Sequence, residues 1–198
     1  MRLFVALDIE EEIRGRIAHF VDEFRGYAPG ARWVSTESLH ITLKFIGEKP
    51  DAMVGVIERQ LGVIEAAPFE VRFCKCGFFP TPRSARVFWV GVEAGDGLAQ
   101  LARRVEQQLA AVGIPEEKRS FSPHLTLARA GGDSGAPGRQ KGDKFNRTFS
   151  LLQERLAQSP SPDFGTMTTR AFFLYRSQLS SKGAKYTKIA RFELLSAG

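Results

Sequence analysis

The chain has 198 residues, enough for one well-buried domain or one domain built as two lobes. With 43% hydrophobic and 25% charged residues it has the composition of an ordinary soluble globular protein, and its net charge of +6 suits a polyanionic partner without identifying one. The opening MRLFVALDIEEE turns acidic after a few apolar residues, and no later apolar run is long enough to cross a bilayer, which speaks against a signal peptide, a spanning helix or any membrane role.

In chain order, RLFVALDI (2–9) reads as a short strand. Residues 10–26 follow as a helix with Ile13, Ile17, Phe20, Val21 and Phe24 on one stripe. SLHITLKFIG (38–47) alternates as a strand. Pro50 opens a second helix carrying Met53, Val54, Ile57 and Leu61. FEVRFCKC (69–76) and ARVFWVGV (85–92) read as strands joined by a Pro-rich turn. Residues 98–114 place Leu98, Leu101, Val105, Leu109 and Val112 at helical spacing. FSPHLTLARA (121–130) is a second alternating strand. A Gly-rich loop over 131–147 precedes a short helix near 148–157 and strands near 167–176 and 185–195.

Strand, helix, histidine strand, helix, strand therefore occurs twice, which points to an internal repeat over about 1–84 and 85–198 within one domain. His40 and His124 are 84 residues apart, and this offset lays Arg2-Leu3-Phe4 on Arg86-Val87-Phe88. After the loop an offset of 100 fits better, pairing Phe73 with Phe173. Two related lobes are expected, with one histidine strand each.

Only three histidines occur, and two of them open the same tetrad, HITL at 40–43 and HLTL at 124–127. Side chains on a strand alternate faces, so His40 shares a face with Thr42, and His124 with Thr126, opposite the apolar residues. If the two open faces meet, two imidazoles and two hydroxyls surround one point. That set suits metal-free phosphodiester chemistry. One neutral histidine accepts a proton from an attacking water while the other, protonated, donates to the departing ribose oxygen. The threonine hydroxyls donate hydrogen bonds to the non-bridging oxygens. Spacing alone does not say which histidine is which.

His19 lies off the apolar stripe of its helix and is a solvated residue. Cys74 and Cys76, in CKC, are too close for an unstrained disulfide, and C-x-C is not a usual zinc spacing. A reducing cytoplasm is the expected compartment. No phosphate-binding glycine motif appears, so no nucleotide cofactor is expected, and no metal.

The paired tetrads resemble the H-x-T-x motifs of the two-histidine phosphoesterase superfamily, and in particular the RNA 2′,3′-cyclic phosphodiesterases, also called 2′-5′ RNA ligases. FVALDI, RVFWVGV, SPHLTLAR and FFLYRSQLSSKGAKYTKIARFEL extend the likeness over nearly the whole chain. The resemblance implies a bilobal α+β fold, with antiparallel-rich sheets and outer helices around a central cleft. It implies hydrolysis of a 2′,3′-cyclic phosphate at an RNA end to a 2′-phosphate, with 2′-5′ ligation as a reverse or side reaction. His40 would be the proton donor, His124 the proton acceptor, and Thr42 and Thr126 phosphate ligands.

Arg129, after the second motif, is a candidate to neutralise phosphate, although strict alternation puts it on the face opposite His124 and demands a bend. Phe45, a base-stacking candidate, has the same difficulty and reads as core. Tyr186 in the final strand is a candidate to approach the cleft. Arg139, Lys141, Lys144 and Arg147 make the 131–147 loop either an RNA-contacting flap or a surface insertion. Expected partners are RNA ends bearing a 2′,3′-cyclic phosphate, tRNA fragments among them. A small cyclic nucleotide is the alternative substrate, a non-catalytic RNA-binding module the alternative class, and a monomer the expected state.

Overall fold

A computed structural model describes residues 1–131, 146–180 and 183–195. It is an α+β fold of two antiparallel sheets. The strands are β1 (Arg2–Leu7), β2 (Ala31–Trp33), β3 (Ile41–Glu48), β4 (Phe69–Phe79), β5 (Val87–Glu93), β6 (His124–Ala130), β7 (Asp163–Thr169), β8 (Ala171–Ser180) and β9 (Gly183–Glu193). The helices are α1 (Glu11–Phe24), α2 (Val54–Gly62), α3 (Gly95–Ala110) and α4 (Ser150–Ala157). Among the described residues no helix is long and apolar enough to cross a membrane.

The stripes read from the sequence are the buried faces. Ile13, Ile17, Val21 and Phe24 of α1, and Leu98, Leu101, Val105 and Leu109 of α3, enter one core shared by both sheets. Two strands escape the sequence reading. β2 has only three residues, and β7 is a Gly- and Thr-rich run whose apolar positions are few. The second histidine strand, by contrast, starts at His124 itself, and β3 starts one residue after His40.

Sheet order is β3-β1-β8-β9 in one sheet and β2-β6-β5-β4-β7 in the other. The two central strands β1 and β5 each pair with a histidine strand, β3 or β6, on one side. On the other side each pairs with a strand from the opposite half of the chain: β1 with β8, and β5 with β4. Apart from the extra edge strand β2, the two sheets follow the same order, and each is assembled from both halves of the sequence.

The ladders also correct the offsets. Phe4 stands opposite Phe45, and Val87 opposite Arg129, so the register equates Phe4 with Val87 and not with Phe88. Likewise Phe173 faces Ala6 while Gly77 faces Trp89, which equates Phe173 with Gly77 and not with Phe73. Bulges in the histidine strands and at Cys74–Cys76, where Lys75 has φ 61°, insert the residues that a fixed offset cannot follow.

Candidate active site

The two histidines are presented by the same local device. His40 Nδ1 lies 2.7 Å from the carbonyl oxygen of Ser38, and His124 Nδ1 lies 2.8 Å from that of Ser122. A carbonyl only accepts, so each Nδ1 carries the proton and donates it, and each Nε2 is left to exchange protons with a substrate. The serine two residues upstream is visible in both SLHITLKF and SPHLTLAR. Its role is carried by its backbone, which sequence reasoning had no ground to single out.

The histidine strands then depart from strict alternation at matching places. Between Ala6–Thr42 and Val5–Lys44 the β1–β3 ladder skips Leu43; between Trp89–Thr126 and Phe88–Ala128 the β5–β6 ladder skips Leu127. Both bulges turn two successive residues inward: Leu43 and Lys44 in β3, Leu127 and Ala128 in β6, all buried. The next residue in each strand therefore returns to the face of the histidine and threonine. In β6 that residue is Arg129, and the bulge supplies the bend its placement needs. In β3 it is Phe45, which is 61% exposed, so the reading of Phe45 as core is wrong. Thr42 and Thr126 are half-buried beside their histidines.

Arg129 brings the two histidines into one electrostatic environment. Its positive charge lowers the pKa of both His40 and His124, and of Tyr186 as well. Burial is the larger cause for both imidazoles, and the carbonyl bond at Nδ1 opposes it only in part. His40 is carried down to about 4. Both rings are therefore neutral in the free protein at pH 7, whereas an unperturbed pair would be divided between acid and base forms.

The surroundings of the two rings differ. A second small apolar cluster, separate from the main core, lies on the histidine face of the first sheet: Phe4, Ala6 and Tyr175, with Phe173 and Tyr186 packed on it. His40 rests there with its ring centre 4.8 Å from Phe4, 5.1 Å edge-on from Tyr186 and 6.1 Å from Tyr175. Asp8 stands nearby, held by Arg14 at 2.9 Å and by Lys188, and its charge raises the pKa of His40 against the trend. His124 meets Phe79 edge-on at 5.0 Å, and Phe79 packs on Trp89 at 5.0 Å. Gly77 is required here: a Cβ at this position would come within 2.4 Å of the Trp89 ring.

His40, His124, Thr42, Thr126, Arg129, Phe45 and Tyr186 thus all face the same side of their sheets as the two imidazoles, or touch them. Phe4, Tyr175, Phe79 and Asp8 complete the surroundings and were missed, because a single aromatic or acid in a strand carries no pattern. Arg139, Lys141 and Lys144 lie outside the described residues. Arg147 is exposed, next to α4.

Comparison with known proteins shows the family. The family model of the 2′-5′ RNA ligase superfamily matches residues 13–173. The chain is 34% identical over 193 residues to an RNA 2′,3′-cyclic phosphodiesterase of Archaeoglobus fulgidus, covering 98% of this chain and 100% of that protein. It is 30% identical over 190 residues to one of Methanocaldococcus jannaschii, covering 96% and 98%. Among solved structures, that of E. coli LigT complexed with 3′-AMP matches with a TM-score of 0.76 at 28% identity, covering 98% of each chain.

Proposed function

The chain belongs to the 2′-5′ RNA ligase superfamily, and on that premise we propose that it is an enzyme that opens the 2′,3′-cyclic phosphate at an RNA end to a 2′-phosphate. His124 Nε2 accepts a proton from water as the water oxygen bonds to phosphorus. The bond from phosphorus to the 3′-oxygen breaks, and that oxygen takes a proton from His40 Nε2. His124 leaves the step protonated and His40 neutral; exchange with solvent resets both.

The observation that carries this reading is the duplicated presentation of imidazole, with Nδ1 fixed on a carbonyl and Nε2 left to work, beside one arginine whose charge reaches both rings. Thr42 and Thr126 hydroxyls hold the non-bridging oxygens, and Arg129 balances the charge that gathers there. Phe45 offers an exposed ring to the nucleobase, and Tyr186 closes the pocket over His40. The phosphate anion itself favours protonation of His40, so substrate binding and proton uptake go together. A 5′-hydroxyl in the place of the water yields a 2′-5′ linkage by the same geometry, and tRNA fragments are among the ends it would act on.

The test is turnover of an oligonucleotide ending in a 2′,3′-cyclic phosphate, with and without EDTA, reading the position of the product phosphate. A 2′-phosphate formed at an undiminished rate in EDTA is expected. A 3′-phosphate, or activity abolished by EDTA and restored by zinc or magnesium, would refute the scheme. Turnover confined to mononucleoside cyclic phosphates would move the substrate class from RNA ends to small cyclic nucleotides.

A further inference from the structure

Lys44 and Phe45 are neighbours in β3 and reverse what water prefers. The lysine is 5% exposed and the phenylalanine 61%. An apolar ring forgoes the benefit of burial by standing in solvent, and a buried ammonium is tolerated only when it is paired and hydrogen-bonded. Lys44 meets that condition with partners from the second half of the chain. Its Nζ lies 2.6 Å from Glu106 Oε2 on α3 and 2.7 Å from the carbonyl oxygen of Pro115, and the Glu117 amide donates to the same Glu106 oxygen at 3.3 Å. The equivalent inward position in β6 holds Ala128, which needs no partner. A strand that alternated regularly from Thr42 would send Lys44 out and Phe45 in, with no charge to bury.

We infer that Lys44 and Glu106 form a clamp that holds the β3 bulge in place and so keeps Phe45 turned out as a nucleobase platform, which makes Lys44 a positioning residue for substrate recognition. The inference rests on the proposed hydrolysis of cyclic phosphates and on the role given there to Phe45. Without Glu106 the lysine is better solvated on the open face, and the strand gains by exchanging the two side chains. Replacing lysine with an unbranched apolar chain removes that drive, so the loss of Glu106 should be repaired by a second substitution at position 44.

The experiment measures adenosine 2′,3′-cyclic phosphate turnover by wild type, Phe45→Ala, Glu106→Leu and the double variant Lys44→Met with Glu106→Leu. Phe45→Ala and Glu106→Leu should each raise KM about tenfold with kcat little changed, the size expected for one lost stacking contact. The double variant should return KM towards wild type. Should Glu106→Leu fail to fold, Glu106→Gln gives a smaller rise in KM with the same repair by Lys44→Met. An unchanged KM in the Glu106 variant, or a double variant as impaired as the single, would overturn the clamp. A Phe45→Ala enzyme with unchanged KM would remove the platform and the clamp's purpose together. A wild type that turns over neither this nucleotide nor an oligonucleotide ending in a 2′,3′-cyclic phosphate would instead refute the hydrolase reading.

Discussion

The neighbourhoods of His40 and His124 share a backbone and differ in what surrounds it. Each histidine hangs from the carbonyl two residues earlier, each threonine follows at the same spacing, and each strand bulges at the same point. Around His40 the rings of Phe4, Tyr175 and Tyr186 exclude water, and Asp8 adds a negative charge. Around His124 there is Phe79, and the bulge delivers Arg129 where β3 has Phe45. The duplicated frame makes two equal imidazoles. Their neighbours make them unequal.

The largest expected effect tests whether the two act as a pair. His40→Ala and His124→Ala should each lower kcat/KM by about 10²–10⁴, the range for a positioned proton carrier, and the double variant should lose little more. Multiplying losses would mean that the histidines work independently and the symmetry is incidental.

The pH dependence sharpens the comparison. kcat/KM reports the free enzyme, in which both imidazoles titrate below the usual 6.5, so its bell-shaped profile should peak on the acid side of that value and decline through neutrality. The kcat profile should lie at higher pH, because the bound phosphate anion favours the charged ring. A kcat/KM maximum at or above about pH 7.5 would contradict the burial argument.

The smallest effect separates the two sites. Tyr186→Ala admits water beside His40, relieves its desolvation and should move that ring's pKa up from about 4, with His124 unmoved. Phe79→Ala should do the reverse, raising His124 alone. Titration of the ring proton resonances by NMR reads both; a common shift in either variant would show that the two environments are not separate.

The chemistry was more legible in the sequence than the wiring. A repeated tetrad in a chain of three histidines marked both catalytic candidates, and period-two alternation put each threonine beside its histidine. Alternation then failed at Leu43 and Leu127, because an extra residue in a ladder is an agreement between two strands and leaves no mark in either alone. Phe45 was misread and Arg129 left in difficulty for that one reason. Strand order suggested a repeat, but partner choice is a long-range property, so the pairing of β1 with β8 and of β5 with β4 was out of reach.

The pairing of β1 with β8 has a consequence for how the chain is made. β1 is synthesised long before one of its two ladder partners, β8, at Ala171–Ser180. Until those residues arrive, one edge of β1 has no native partner, and the aromatic bed under His40 lacks Tyr175 and Tyr186. Pairings so distant in sequence demand costly loop closure before they repay it, which slows folding and exposes strand edges meanwhile. A chain cut between residues 84 and 85 should therefore yield two pieces that aggregate apart and recover activity only when refolded together.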